Sequence, residues 1–385
     1  MKQALLKVAS CEAKSNRRAV QIMEAEQPVV LLESFAAINE AYSAADHVIS
    51  SLPAFSPAVK EMLPDLDMFN STGITRQFDA RLTKFLDGEG AQSNNLGKCQ
   101  VHFFMTWISP ASSFGTREFV VMESIFKENH NACLIILTKT LDSPGGRRIL
   151  KPLLELGYRV VALTPDLSSL FKNTPAEAWF NYLRTGKIDP GKVPLAQNLS
   201  NLIRLAVLYK YGGVYLDTDF IVLRDFSMLR NVIGAQSVDA NGNWTRLNNA
   251  VLVFDKKHPL LYEFMQEFQL TFDGNSWGHN GPYLVSRVVY RLATNTMTQD
   301  YNFTVLPPIA FYPVGWIGID GFFKRPSNPV FSKWASAKLR QLNNGETYGV
   351  HLWNRQTGKA KIEEGSIIAT LISDHCIICQ NIFSS

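Results

Sequence analysis

Between Gln100 and Leu216 the chain alternates short apolar runs with longer helical patterns, and this alternation constrains the fold more than any other feature. Val101–Trp107, Cys133–Leu137 and Arg159–Leu163 read as buried strands. Glu118–Asn129 and Gly145–Leu156, lying between them, read as helices. Parallel strands need crossovers of a dozen or more residues, and a helix supplies one. Strands and helices at this pace predict an α/β fold with βαβ units and a mainly parallel sheet flanked by helices. A hydrophobic content of 46% over 385 residues is enough for a sizeable core. Ligands of such sheets bind beyond the carboxyl ends of the strands, so residues at those ends are the first functional candidates.

The fourth unit ends in chemistry. Leu195–Lys210 has helical spacing of apolar residues, and Gly212-Gly213 supplies a left-handed stop. Val214-Tyr215-Leu216 then reads as a strand that delivers Asp217 and Asp219 to its end. In an extended segment, residues i and i+2 point to the same side. Two acids share a site cheaply only with a proton or a cation between them. Oxygen ligands favour a hard divalent ion, Mg²⁺ or Mn²⁺, which can bridge to a substrate phosphate. An isolated Asp-x-Asp is commonly a solvated turn. A helix, a glycine stop, a strand and an acid pair in one unit favour a metal–diphosphate site.

Ser200–Arg204 and Gly212–Phe220 resemble the core of the DXD-containing sugar transferases. Trp277–Pro282, Leu306–Pro313 and His351–Asn354 follow in the same order and make the chain most similar to the α-1,4-glycosyltransferases. That family includes α-1,4-galactosyl- and α-1,4-N-acetylglucosaminyltransferases. The resemblance implies a GT-A nucleotide-sugar fold over residues 98–385, with residues 1–97 as an N-terminal extension or stem-like region. It implies metal-dependent, configuration-retaining transfer of galactose or N-acetylglucosamine from a UDP-sugar to a glycan or glycolipid acceptor. Mn²⁺ or Mg²⁺ would be the cofactor and the Golgi lumen the compartment.

The resemblance also implies roles. Asp219 would hold the metal directly, Asp217 partly through the ribose or a water, and His351 would close the shell. By itself a lone histidine on a late strand reads as a half-buried packing residue. Gly349–Trp353 alternates, so that Trp353 shares a face with His351. Arg204, on an otherwise apolar helix, must find a partner: a structural carboxylate or, by the resemblance, the donor sugar. Asn201 stands where related enzymes often have Asp; it can bond a hydroxyl but carries no charge. Asn248-Asn249 reads either as turn formers before a strand or as amides beside the sugar. The Trp277–Pro282 loop reads either as a capped turn into a helix over Tyr283–Leu292 or as a wall of the substrate site, with Gly281 among the donor-binding positions. Thr106 and Trp107 end the first strand, where the nucleotide base rests in this fold by analogy. No carboxylate nucleophile is evident, which leaves same-face attack assisted by the leaving phosphate.

Other classes fit less well. A net charge of +4 with scattered Lys and Arg suits anionic ligands and gives no nucleic-acid groove. Cys11, Cys99, Cys133, Cys376 and Cys379 include a single Cys-x-x-Cys, too little for zinc, and read as buried thiols or one disulfide in an oxidising compartment. Sequons at Asn70, Asn198, Asn243 and Asn302 are a weak sign of secretion, and Asn198 is expected to be inaccessible in its helix. No apolar run approaches the ~20 residues that span a bilayer, and the first residues lack a signal-peptide core. Two expectations stand together here: membrane association through an N-terminal anchor missing from this sequence, or a protein that is not anchored. A phosphohydrolase of the haloacid-dehalogenase type would carry Asp-x-Asp on its first strand and a later Asp-Asp pair, and this chain does neither. A transferase fold kept only to bind a glycan or a partner is the non-enzymatic alternative.

Overall fold

The computed structural model describes residues 73, 75–88, 99–294 and 301–379. The strands are β1 (Val101–Thr106), β2 (Ala132–Leu137), β3 (Arg159–Leu163), β4 (Gly213–Leu216), β5 (Phe220–Val222), β6 (Val232–Val238), β7 (Trp244–Phe254), β8 (Thr304–Leu306) and β9 (Gly349–His351). Seven of them form one sheet in the order β3-β2-β1-β4-β7-β6-β8, and β5 pairs with β9 apart from it. β1 lies parallel to β2 and β4, β2 to β3, and β6 to β8. β7 alone is reversed, antiparallel to both β4 and β6. The expected mainly parallel sheet is what forms.

Helices cover both faces. The first eight are α1 (Phe78–Leu86), α2 (Thr116–Glu128), α3 (Pro144–Glu155), α4 (Leu167–Phe171), α5 (Pro175–Arg184), α6 (Leu195–Tyr211), α7 (Pro259–Thr271) and α8 (Pro282–Thr294). Five more follow: α9 (Pro308–Phe311), α10 (Asp320–Phe323), α11 (Pro329–Leu342), α12 (Asn354–Thr357) and α13 (Ile367–His375). Side chains alternate across a strand, and the core divides accordingly. Phe103, Met105, Leu134, Ile136 and Leu216 pack on one face with Phe119, Ile125 and Phe126 of α2. Phe104, Ile135, Leu137 and Tyr215 pack on the other with α5, α6 and α7.

Two local devices set the frame. Ser143 accepts a hydrogen bond from Gly146 N at 3.1 Å, and Pro144 opens α3, a capped start that needs no tertiary help. At the end of α6, Gly212 and Gly213 have φ of +68° and +112°. A Cβ on Gly213 would stand 2.6 Å from the His102 carbonyl oxygen, so glycine is what lets β4 close against β1.

Helix α1 lies on the extension side of residue 97, yet Phe78 and Leu82 are fully buried with Phe104. Arg81 donates two hydrogen bonds of 2.8 Å to Asp142, which also accepts from Thr164 N and Oγ1. The segments around residues 36–44 and 51–57, Cys11 and the Asn70 sequon lie outside the described residues.

Several expectations change. Asn248 and Asn249 are not turn formers: both lie within β7, which already begins at Trp244. Their amides are tolerated there because Asn248 donates to Gln236 Oε1 at 2.8 Å and Asn249 to Asn201 Oδ1 at 2.9 Å. The described cysteines form two disulfides, Cys99–Cys133 and Cys376–Cys379, not one at most. Cys99 lies just before β1 and Cys133 lies in β2, with Cα atoms 5.5 Å apart, although the ladder itself pairs Cys133 with His102. The second pair closes a turn whose Ile377 and Cys379 N–H groups each donate at 3.1 Å to Glu123 Oε1. A further change, at the acid pair, is described below. Asn198 is buried as expected, whereas Asn243 and Asn302 are exposed. Among the described residues no helix is long and apolar enough to cross a membrane.

Candidate active site

Strand β4 stops at Leu216, and Asp217-Thr218-Asp219 is a turn into β5, not a continued strand. The acids still converge, because partners on both sides hold the turn. Asp217 N donates to Ala250 O at 2.9 Å, which fixes the entry against β7. On the exit side Phe220 pairs with His351 in the β5–β9 ladder. Leu352 N donates to Asp219 O at 2.8 Å and Asn354 N to Asp219 Oδ2 at 2.8 Å. His351 Nε2 then lies 3.3 Å from Asp219 Oδ1.

Trp353 does meet His351, with ring centroids 4.4 Å apart. Strand alternation is not the cause. β9 ends at His351, and Trp353 takes a left-handed conformation, φ +57°, which swings its ring back. Its Nε1 donates to Val314 O at 3.0 Å.

The other acid has a different setting. Arg204, only 2% exposed, places its guanidinium 3.0 Å from Asp217 Oδ1. It also donates to Ser200 O at 3.1 Å, Ser200 Oγ at 3.0 Å and Asn249 O at 2.7 Å. The guanidinium carbon sits 4.4 Å over the Tyr215 ring. Tyr215 OH donates to Asp217 Oδ1 at 3.1 Å and shares hydrogen bonds with Thr106 Oγ1 at 2.7 Å and Ser200 Oγ at 3.3 Å. Arg204 thus takes a carboxylate partner, as an arginine on an apolar helix must, and that carboxylate is the first acid of the pair.

Burial pushes the Asp217 carboxyl up, and neither Arg204 nor the Tyr215 hydrogen bond fully offsets it, with the Asp219 charge adding to the rise. Asp219 feels the same burial, but the His351 charge and hydrogen bond, with the Asn354 N–H, hold it below the usual carboxylate range. Burial pulls His351 down, yet the two carboxylates, Asp219 foremost, raise it overall. Two acids whose titrations are driven apart, beside an imidazole, form a site made for a positive charge.

The residues fit a divalent ion. One donor atom each from Asp217, Asp219 and His351 lies within 4.8 Å of the others. Ligands around an octahedral ion at about 2.1 Å stand roughly 3–4 Å apart, so a small contraction brings all three into a shell. His351 Nδ1 is buried without a hydrogen-bond partner, so no second bond locks the ring against such an adjustment.

These groups lie on the floor of a cleft of about 770 Å³. Thr106, Trp107, Asn201, Arg204, Asn249 and Trp353 also line it. Gly281 does not. It backs Asn201, whose Oδ1 a Cβ there would approach to 2.9 Å. Sequence reading passed over Tyr215 and Ser200, which tie Asp217 to Thr106, and the rim pairs Arg355–Trp277 and Arg246–Tyr283, at 3.8 and 4.6 Å. A tyrosine two residues before the first acid, on the same side of a strand, was the available signal.

The conserved region of the alpha 1,4-glycosyltransferases matches residues 253–383, and the glycosyltransferase sugar-binding region containing the DXD motif matches residues 115–239. Human lactosylceramide 4-alpha-galactosyltransferase is 32% identical over 266 residues, 66% of this chain and 69% of that protein. The chain belongs to the α-1,4-glycosyltransferase family. An uncharacterised Arabidopsis thaliana protein is 32% identical over 74% of the chain, and human alpha-1,4-N-acetylglucosaminyltransferase 27% identical over 55%. The chain spans 43% of the Arabidopsis protein's length and 58% of that second human enzyme. The acid pair lies beyond the end of β4 in a mainly parallel sheet, and the matched DXD region spans Asp217 and Asp219.

Proposed function

We propose that the chain is a metal-dependent, retaining hexosyltransferase that moves galactose or N-acetylglucosamine from a UDP-sugar to a glycan or glycolipid acceptor, in the Golgi lumen. The observation that carries this is the convergence of Asp217, Asp219 and His351 on the floor of the cleft. A Mn²⁺ or Mg²⁺ ion held there would neutralise charge developing on the departing diphosphate. Asp219, shared with His351 and the Asn354 N–H, is the direct ligand, and Asp217 is aimed by Arg204 and Tyr215. Asn201 and Asn249 present an amide pair beside Arg204, suited to donor-sugar hydroxyls. Trp107 offers a ring at the end of β1 for the nucleotide base. Among the described residues Asp217 and Asp219 are the only carboxylates lining the cleft. With both committed to the ion, same-face attack by the acceptor, its proton passing to the leaving phosphate, supports retention. Calorimetric titration of UDP with Mn²⁺ and again with EDTA tests the reading, followed by UDP release from UDP-galactose and UDP-N-acetylglucosamine. Tight binding only with Mn²⁺ is expected; equal binding in both, or none, overturns it.

A further inference from the structure

Residues 316–342 carry five basic side chains, Lys324, Arg325, Lys333, Lys338 and Arg340, against one acid, Asp320. The same segment exposes Trp316, Ile317, Val330, Phe331 and Trp334. Ile317 and Val330 are 79% and 74% exposed, so they protrude from the surface. Single exposed apolar residues are ordinary; a cluster of this size is not. Helix α11 buries only Ala335 and Leu342 of its 14 residues. Val330, Phe331 and Trp334 occupy one stripe of it, at i, i+1 and i+4. Trp334 packs edge-on against Phe322 at 5.6 Å and reaches within 3.6 Å of a Cβ placed on Gly321, which joins the stripe to α10, the helix that follows Trp316 and Ile317. Arg325 is engaged by Glu364 at 3.8 Å, while Lys324, Lys333 and Arg340 stand exposed around the apolar residues.

We propose that this face docks on a bilayer surface that bears anionic headgroups. Trp, Phe and aliphatic side chains settle at the boundary between headgroups and acyl chains, and surrounding Lys and Arg bind anionic lipid. A rigid protein partner would need a matching concavity for side chains that protrude this far, whereas lipid yields around them. Trp316 also lines the cleft, so docking holds the cleft mouth at the lipid surface. The docking itself needs no transfer chemistry, and it goes beyond the reaction proposed above.

Co-sedimentation of the full chain with phosphatidylcholine vesicles, with and without phosphatidylserine, tests this. The wild type should partition onto the phosphatidylserine vesicles, less so at high salt. Ile317→Ser/Phe331→Ser should lower the partition by at least about tenfold, since two large side chains lose their burial. Lys333→Glu/Arg340→Glu should lower it on anionic vesicles alone. Thermal midpoints and Mn²⁺-dependent UDP affinity should stay as in the wild type, which separates a failure of docking from a failure of the transferase reading. No partition by the wild type, or equal partition by the variants, overturns the proposal. So does self-association that the serine variant abolishes without any vesicle binding, which would assign the face to a second copy of the chain.

Discussion

The two carboxylates of the acid turn are two residues apart and live in different environments. Asp217 faces the α6 side, where a guanidinium that cannot lose its proton, a phenol and two hydroxyls form a closed network. Asp219 faces the C-terminal segment, where its partners are a titratable imidazole and one backbone N–H. The first side is framework: its positive charge is fixed and buried. The second side is adjustable, because the imidazole can give up its proton and turn a nitrogen lone pair to an ion. One acid is therefore set against a permanent charge, while the other shares an imidazole whose proton an ion can displace.

That contrast can be broken most sharply at the shared ligand. Asp219→Ala removes the carboxylate common to the metal site and His351, and should cut UDP release at least about 100-fold with loss of Mn²⁺-dependent UDP binding. Retained activity would dissolve the binding side of the comparison.

Next comes the framework. Arg204→Met removes the buried guanidinium from the Asn249 carbonyl, from Ser200 and from Asp217, whose side chain is part-exposed in the cleft, and should cost about 2–4 kcal/mol of stability in urea denaturation, together with activity. Arg204→Lys should recover part of that stability and little activity, because one ammonium cannot replace a fork bonded to Ser200, Asn249 and Asp217 at once. Excess Mn²⁺ should rescue neither variant.

His351→Ala should behave in the opposite way. Half-maximal activity should need about 10-fold more Mn²⁺, with activity regained at high metal. Metal-free stability should fall by only about 1–3 kcal/mol. If excess Mn²⁺ does nothing, His351 is packing and the metal shell shrinks to the two acids.

A pH titration sharpens the same point. His351 is raised above its ordinary value of 6.5, so the metal-free ion pair stabilises fully below that value and is lost as pH rises through the raised one. Asp219 is lowered from 3.8, so its share is present above that value and is lost as pH falls through the lower one. Mn²⁺ competes with the His351 proton, so its affinity should climb as pH rises from about 6.5 upward. A flat calorimetric profile there would remove the imidazole from the metal shell. The smallest effect is expected for Tyr215→Phe, about 1 kcal/mol in stability with a modest rise in the Mn²⁺ requirement, since Arg204 still holds Asp217.

Much of this was written locally. The runs at 101–107, 133–137 and 159–163, the helical spacing before Gly212 and the acid pair all follow from short-range periodicity and from glycine's access to positive φ. They determined the parallel half of the sheet, β1 to β4, and put the acid pair beyond its end. The tertiary structure decided which group faces which acid. His351 reaches Asp219 only because β9 pairs with β5, and Trp353 only because the chain turns left-handed after that strand. Arg204 on an apolar helix announced that it needed a partner, but Asp217, Tyr215 and the Asn249 carbonyl became that partner through the packing of α6 on β4 and β7. Periodicity reports which side of an element is buried. It does not report what the neighbouring element brings to that side, and the charges of this site are balanced by those neighbours.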